Sequence, residues 1–241
     1  MSTYVISDLH LSTADGCNKS MEVFGRRWAG YTEKLRRNWC SLVEPEDTVV
    51  IPGDISWAIS LEGAEADLRF IDALPGRKIL GKGNHDFWWS TLSKMQAFLE
   101  ERQIRSLSFL HNNVLETDEF LLTGTRGWMP EGDLDCQNTD DYEKMIARET
   151  IRLRLGLTAA AGHPAAGQKE LLVFFHYPPV VAGRETGPFL DALEEFGIRR
   201  VYYGHIHGNY TARPYFTAHG IDFILISADY LDFIPRIILP N

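Results

Sequence analysis

Gly81-Lys82-Gly83-Asn84-His85-Asp86-Phe87-Trp88-Trp89 follows the short apolar run Ile79-Leu80 and precedes a segment of helical period, so it reads as a turn at the end of a strand. Gly81 and Gly83 let the backbone turn sharply and, lacking side chains, let a ligand come close to it. An amide, an imidazole and a carboxylate then stand in a row. The amide can ligate a metal without adding charge, the imidazole can donate or accept a proton, and the carboxylate can orient that imidazole. Taken alone, the run fits a polar, hydrogen-bonded hairpin equally well.

The same arrangement occurs five times. Tyr4-Val5-Ile6-Ser7 leads to Asp8-Leu9-His10, and Thr48-Val49-Val50-Ile51-Pro52 leads to Gly53-Asp54. Lys78-Ile79-Leu80 leads to the opening stretch, Leu171 to Phe175 leads to His176-Tyr177-Pro178-Pro179, and Val201-Tyr202-Tyr203 leads to Gly204-His205-Ile206-His207-Gly208. These apolar runs are continuous rather than alternating, as expected of strands buried on both faces. Between them, apolar residues recur at spacings of three and four: Trp28, Tyr31, Leu35, Trp39 and Leu42; Leu68, Ile71 and Leu74; Leu92, Met95 and Phe98. Pro188 suits the first turn of a helix carrying Phe189, Leu190, Leu193 and Phe196, with Gly197 as its stop. Alternating strands and helices indicate an α/β layered fold, in which a ligand sits beyond the carboxyl ends of the strands. All five polar clusters fall there.

The middle of the chain is less regular. Phe109 to Leu115 and Phe120 to Thr125 read as short strands, and Asp140 to Leu157 as a longer helix with acids early and arginines late, matching the helix dipole. Ala159 to Gly167 reads as a mobile small-residue loop, and the runs Phe223 to Ser227 and Ile237 to Leu239 as antiparallel strands on one sheet edge. The 241 residues suffice for one substantial core and are read as a single domain. No apolar run approaches the roughly 18–20 residues of a membrane helix. The N-terminus carries no signal-type segment, and candidate site residues begin at Asp8, so a cytoplasmic location is expected. Cys17, Cys40 and Cys136 are odd in number and widely spaced, which makes neither a disulfide framework nor a zinc ribbon. A net charge of −9 argues against a broad nucleic-acid surface but not against a small phosphorylated substrate, because bound divalent metals reverse the local field.

Two divalent cations held close together need several neutral donors and at least one carboxylate that bridges, and such a pair acidifies water and clamps phosphoryl oxygens in ester hydrolysis. The five clusters supply two aspartates, four histidines and one asparagine, with His85 left over for proton transfer. Imidazole and carboxylate without thiolate suit manganese, iron, zinc or nickel better than calcium.

In order along the chain, the DxH of Asp8–His10, the GD of Gly53–Asp54, the GNHD of Gly83–Asp86, the lone His176 and the GHxH of Gly204–His207 resemble the signature of the calcineurin-like metallophosphoesterases. The resemblance implies one metal on Asp8, His10 and His207, a second on Asn84, His176 and His205, and Asp54 bridging them. It also implies that His85 protonates the leaving group or contacts the phosphate, with Asp86 orienting it. The implied fold is a four-layer α/β/β/α sandwich of two mixed sheets. The expected activity is hydrolysis of a phosphodiester by a hydroxide shared between the metals. The rivals are a phosphomonoesterase or nucleotide pyrophosphohydrolase on the same site and, more distantly, a non-catalytic scaffold.

Outside the motifs, His111, His163 and His219 read as surface or loop residues. Trp57, Phe87 to Trp89 and Tyr177 read first as core packing, and the alternative is that one or two of them wall a nucleotide base or another flat leaving group. Arg26, Arg27, Lys34, Arg36 and Arg37 read as the solvated face of the first helix, with Arg26 and Arg27 nearest the Asp8–His10 turn. Specificity is expected from the loops around Arg126 to Asp141 and Ala159 to Gln168; the acidic run Glu131 to Asp141 lacks the sixth-position glycine and the terminal glutamate of an EF-hand.

Overall fold

A computed structural model describes residues 1–13, 21–130, 139–181, 183–211 and 213–240. Cys17, Cys136 and the acidic run as far as residue 138 lie outside them; Cys40 is an exposed free thiol.

The strands are β1 (Thr3–Val5), β2 (Thr48–Ile51), β3 (Arg77–Leu80), β4 (Leu107–Phe109), β5 (Leu115–Glu116), β6 (Phe120–Thr125), β7 (Glu170–Phe175), β8 (Val180–Val181), β9 (Arg184–Glu185), β10 (Arg200–Tyr203), β11 (Tyr215–Ala218), β12 (Ile221–Leu225) and β13 (Arg236–Ile238). The helices are α1 (Tyr31–Leu42), α2 (Glu65–Asp72), α3 (Leu92–Glu101), α4 (Thr139–Ala161) and α5 (Gly187–Glu195). One sheet has the order β13-β1-β2-β3-β4 and the other β11-β12-β10-β7-β6-β5; β8 and β9 form a separate hairpin. In the first sheet only β13 is antiparallel to its neighbour; in the second only the edge strands β5 and β11 are.

The layering follows from which side chains cluster. Val5, Val50 and Ile79 of the first sheet pack with Leu172, Phe174, Tyr202 and Ile224 of the second, so this set is the seam between two sheets. Their sequence neighbours point the other way: Val49, Ile51 and Leu80 pack with Leu35, Trp39, Leu68, Ile71 and Met95 of α1 to α3. Val173, Phe175, Val201, Tyr203 and Phe223 pack with Leu153, Leu157, Phe189 and Leu193 of α4 and α5. Each central strand is therefore buried on both faces, which is why its sequence shows no polar alternation. The result is the expected α/β/β/α sandwich.

Several local expectations change. Trp28 belongs to a separate 3-10 turn (Arg26–Trp28), and Leu42 is 41% exposed while Val43 takes the buried place. Leu74 is buried just beyond the end of α2. The run Phe109 to Leu115 is not one strand: Asn113 Oδ1 accepts the His111 amide at 2.7 Å and Asn112 takes φ 57°, so a side-chain-closed turn separates β4 from β5. Ala159 to Ala161 continue α4, and the turn after them enters β7 at the end opposite His176. About six residues of strand at roughly 3.3 Å each separate that turn from the site, so Ala159 to Gln168 is too far away to set specificity. The C-terminal strands do not share an edge: β12 lies inside the second sheet, and β13 closes the first.

Lys78 on β3 is fully buried and caps the end of α2, its Nζ donating to the carbonyls of Asp72 (3.2 Å) and Leu74 (2.5 Å). Burial pushes its ammonium down to about 8, against the pull of Asp72. The unfolded chain then binds more protons than the folded one between the folded and unfolded pKa values, so stability rises with pH across that window. Unfolding free energies from urea titrations between neutral pH and pH ~10 should climb more for the wild type than for Lys78→Met, with a difference of order 1–3 kcal/mol; equal slopes would show that Lys78 is not buried as an ammonium.

Candidate metal centre

Six strand ends meet at one place. Asp8 and His10 follow β1, Asp54 follows β2, Asn84 and His85 follow β3, His176 follows β7, and His205 and His207 follow β10. The sixth is the turn after β12, which brings in Asp229. The two sheets are tied together here by backbone: Ser7 N donates to Ile226 O at 2.9 Å and Ala228 N to Ser7 O at 2.8 Å. Beside this seam the Asp8 carboxylate accepts the His205 amide, with both oxygens at 3.0 Å.

Asp8 (φ 61°), His10 (φ 46°), Asp54 (φ 49°) and His205 (φ 68°) all hold left-handed backbone conformations. Such conformations cost non-glycine residues of order 1–3 kcal/mol each and persist where the surroundings over-determine them. Glycine makes room nearby. A Cβ on Gly83 would lie 2.1 Å from Asp54 Oδ1, and one on Gly204 would lie 2.3 Å from Asp8 Oδ2.

The donors form two groups, Asp8–His10–His207 and Asp54–His176–His205. His10 Nε2 and His207 Nε2 stand 3.1 Å apart. Asn84 Oδ1 lies 2.6 Å from His176 Nε2 and 3.0 Å from His205 Nδ1, which attaches the asparagine to the second group. Asp54 Oδ2 is 3.5 Å from His10 Nε2 and 3.5 Å from His176 Nε2, and so sits between the groups. Metal–ligand bonds of about 2.0–2.2 Å at tetrahedral to octahedral angles put neighbouring donors roughly 2.8–3.5 Å apart. The spacings of 3.0 to 3.5 Å fall in that range and the 2.6 Å approach of Asn84 to His176 lies just below it, so the residues fit a pair of divalent cations with a small shift of the asparagine.

Electrostatics agree. Burial pushes His10 and His176 well below the usual imidazole range, leaving neutral rings with a free lone pair. Burial and the nearby Asp86 and Asp8 push the Asp54 carboxyl well up, a conflict that bound cations would relieve. His207 differs: burial opposes its charge, yet hydrogen bonds to Asp229 and Asp8 raise it to about 10. A proton and a metal compete for the same Nε2 lone pair, so metal uptake there releases the proton.

Two residues depart from the sequence reading. Asp229 is fully buried, and its Oδ1 lies 2.9 Å from His207 Nδ1 while Oδ2 accepts the Gly208 amide at 3.0 Å. It fixes the ring so that Nε2 faces the site. No motif marks it; the only signal is its place after the apolar run Phe223-Ile224-Leu225-Ile226. Asp86 is also buried, and its oxygens accept the amides of Gly83, Ile55 and Ser56 and the Trp88 indole. It thus locks the turn carrying His85 onto the Asp54 turn, acting through the backbone. His85 donates its own amide to Asp54 Oδ1 at 2.8 Å, and its ring packs against Trp57 at 4.2 Å.

The remaining candidates divide. Trp57 also stacks on His10, and Tyr177 packs on His205 at 4.4 Å, whereas Trp88 and Trp89 are buried core residues and Phe87 is 61% exposed. Arg27 donates to the Asp229 carbonyl at 2.9 Å, which ties it to the site's support; Lys34 pairs with Asp232, and Arg36 with Glu33 on the exposed face of α1. His111 is half-buried beside Trp89, His163 lies in the turn after α4, and His219 sits at the surface between Glu185 and Glu194.

Two mixed sheets with aspartate and imidazole donors gathered in two groups at their carboxyl ends define a class of protein built to hold paired divalent cations. Residues 1–209 match the calcineurin-like phosphoesterases, and the chain belongs to that family, whose members are metal-dependent phosphoric ester hydrolases. Over 88 residues it is 41% identical to the Gene 66 protein of Mycobacterium phage L5, a stretch covering 35% of this chain and 39% of that protein, so the match spans about two fifths of that relative. The phosphopantetheinyl hydrolase PptH of Mycobacterium tuberculosis shares the fold with a TM-score of 0.57 at 14% identity, over 100% of this chain and 96% of that one. The TT1561 protein of Thermus thermophilus does so with a TM-score of 0.53 at 10% identity, over 95% and 89%. Among the described residues no helix is long and apolar enough to cross a membrane.

Gly204→Ala should leave the far-ultraviolet circular dichroism unchanged while lowering bound metal by elemental analysis, because the new methyl displaces the Asp8 carboxylate. Full metal occupancy in that variant would disprove the close packing at Gly204.

Proposed function

We propose that the chain is a dinuclear-metal phosphodiesterase acting on a small substrate, with Asp8, His10 and His207 holding one cation, Asn84, His176 and His205 the other, and Asp54 bridging. The observation that carries the reading is Asp54 Oδ2, equidistant at 3.5 Å from an imidazole nitrogen of each group. The donor set suits manganese, iron, zinc or nickel. When bound, such a pair supplies positive charge to the phosphoryl oxygens and acidifies water at neutral pH.

The chain's own residues supply the rest. His85 stands beside the metal ligands but in neither donor group, and its ring borders a cavity of about 290 Å³ with His10 and His207. It holds the proton that the departing alkoxide needs, a contribution of about 10²–10⁴-fold. Protonation matters most for a poor leaving group, which favours an alkyl diester over a monoester or a pyrophosphate. Met21, Phe24, Trp28, Trp57 and Tyr210 line the other side of that cavity, and Phe24 is 67% exposed at its mouth. A flat, largely apolar leaving group, such as a nucleoside, fits those walls.

With an alkyl diester, His85→Ala should lower turnover at least about 100-fold with metal content retained, and lower it less with an aryl leaving group that departs unprotonated. Asp54→Ala should lose both metal and activity; equal metal loss in the two variants would sink this division of roles. Trp57→Leu should raise KM for a nucleoside diester several-fold more than for a methyl diester, and an equal change for both would remove the stacking wall.

A further inference from the structure

Across the crevice from the aromatic cavity, three strand ends carry cations or a histidine. Lys82 follows β3, His111 follows β4 and Arg126 follows β6. Arg126 is joined to the metal-ligand loop by its carbonyl, which accepts the Tyr177 amide at 2.9 Å. Its guanidinium lies 4.8 Å from the Trp128 ring, Trp128 packs on Tyr177 at 5.1 Å, and Tyr177 packs on His205. The carboxyl ends of strands in layered α/β folds are where ligands bind.

The charge here does not balance. Glu149 is the buried carboxylate of the cluster, and its oxygens are taken by Arg152 at 2.6 Å and by the Thr125 hydroxyl at 2.7 Å. Arg126 reaches it only at 3.6 Å, and the Nε and one terminal nitrogen of its guanidinium are buried with no hydrogen-bond partner. Lys82 is half-buried and makes no ion pair among the described residues. Arg126, Arg148 and Arg152 thus share one carboxylate, with Lys82 at a neighbouring strand end, and this excess of positive charge in a chain of net charge −9 is costly unless an anion joins it. Water or solvated salt would serve an exposed pair. The Arg126 side chain keeps 16% exposure, and an anion held against that edge would supply the charge that the shared Glu149 does not.

We propose that Lys82 and Arg126 form a second anion-recognition subsite, so that the non-departing alcohol of the phosphodiester carries a negatively charged group such as a phosphate or carboxylate. The inference rests on the phosphodiesterase reading above. The leaving group occupies the aromatic cavity near His85, and the retained alcohol extends over Asn84 and Tyr177 toward the two cations.

The test compares two aryl phosphodiesters that release the same phenol, one with a second alcohol ending in a sulfonate, which the enzyme cannot hydrolyse, and one ending in a hydroxyl. The metal-loaded wild type should show a KM for the sulfonate ester about tenfold lower, as expected for charge-assisted hydrogen bonds. Lys82→Met and Arg126→Met should each collapse that ratio towards one, and Lys82→Arg should restore it. Turnover of both esters with no preference in the wild type, or a preference that survives in both methionine variants, would overturn the subsite alone. No turnover of either ester would overturn the phosphodiesterase reading and this inference with it.

Discussion

The Asp8 carboxylate belongs to the first sheet but accepts the backbone amide of His205 from the second. Everything at the site depends on that cross-sheet bond. It sets how far the β1 turn stands from the β10 turn, and therefore whether His10 and His207 can face one another. The adjoining Ser7 ladder to Ile226 and Ala228 carries the same constraint through backbone alone. Paired sheets give the left-handed turns at Asp8, His10, Asp54 and His205 rigid supports on both sides, which is how strain at four ligand residues can persist. A looser pairing would let those residues relax and the donor spacing drift.

The same packing creates an electrostatic problem. Asp8, Asp54, Asp86 and Asp229 are all buried within the site or against it, together with His10 and His176. Asp86 and Asp229 settle theirs with hydrogen bonds from amides, an indole or an imidazole. Asp54 accepts the His85 amide but is held near two other carboxylates, and its charge is disfavoured by burial first and by those neighbours second. Paired cations would reverse that balance. The protein's stability and its metal load are thereby linked, since a cation bound only by the folded chain adds its binding energy to folding.

Much of this is legible in the sequence because each donor sits one to five residues beyond a buried strand. A strand buried on both faces is a continuous apolar run, so its end is easy to find, and a polar cluster at that end stands out. The layers and the seven metal-ligand candidates follow from that single regularity together with the family resemblance. Asp229 escapes because one aspartate after a strand is an ordinary turn residue, and its partner His207 is 22 positions away. Adjacency to His85 suggests a ring-orienting part for Asp86, whereas its bonds run to backbone amides that only the folded turn brings within reach. The β4–β5 break is hidden by an Asn113 side chain that mimics a strand partner. Burial of a charged residue such as Lys78 leaves no mark in periodicity at all.

The crevice is asymmetric, and the asymmetry has a chemical reason. In the proposed mechanism His85 would be the acid, and one face of its ring is covered by Trp57 at 4.2 Å. Arg126 stands against Trp128, which packs on Tyr177, and Lys82 follows the same strand as His85, so the proposed anion subsite would lie at the ends of β3 and β6. On the proposed reading, the aromatic residues beside His85 and the cations at the ends of β3 and β6 would serve the two ends of one ester, the first where the leaving alcohol takes its proton and the second where the retained alcohol is held.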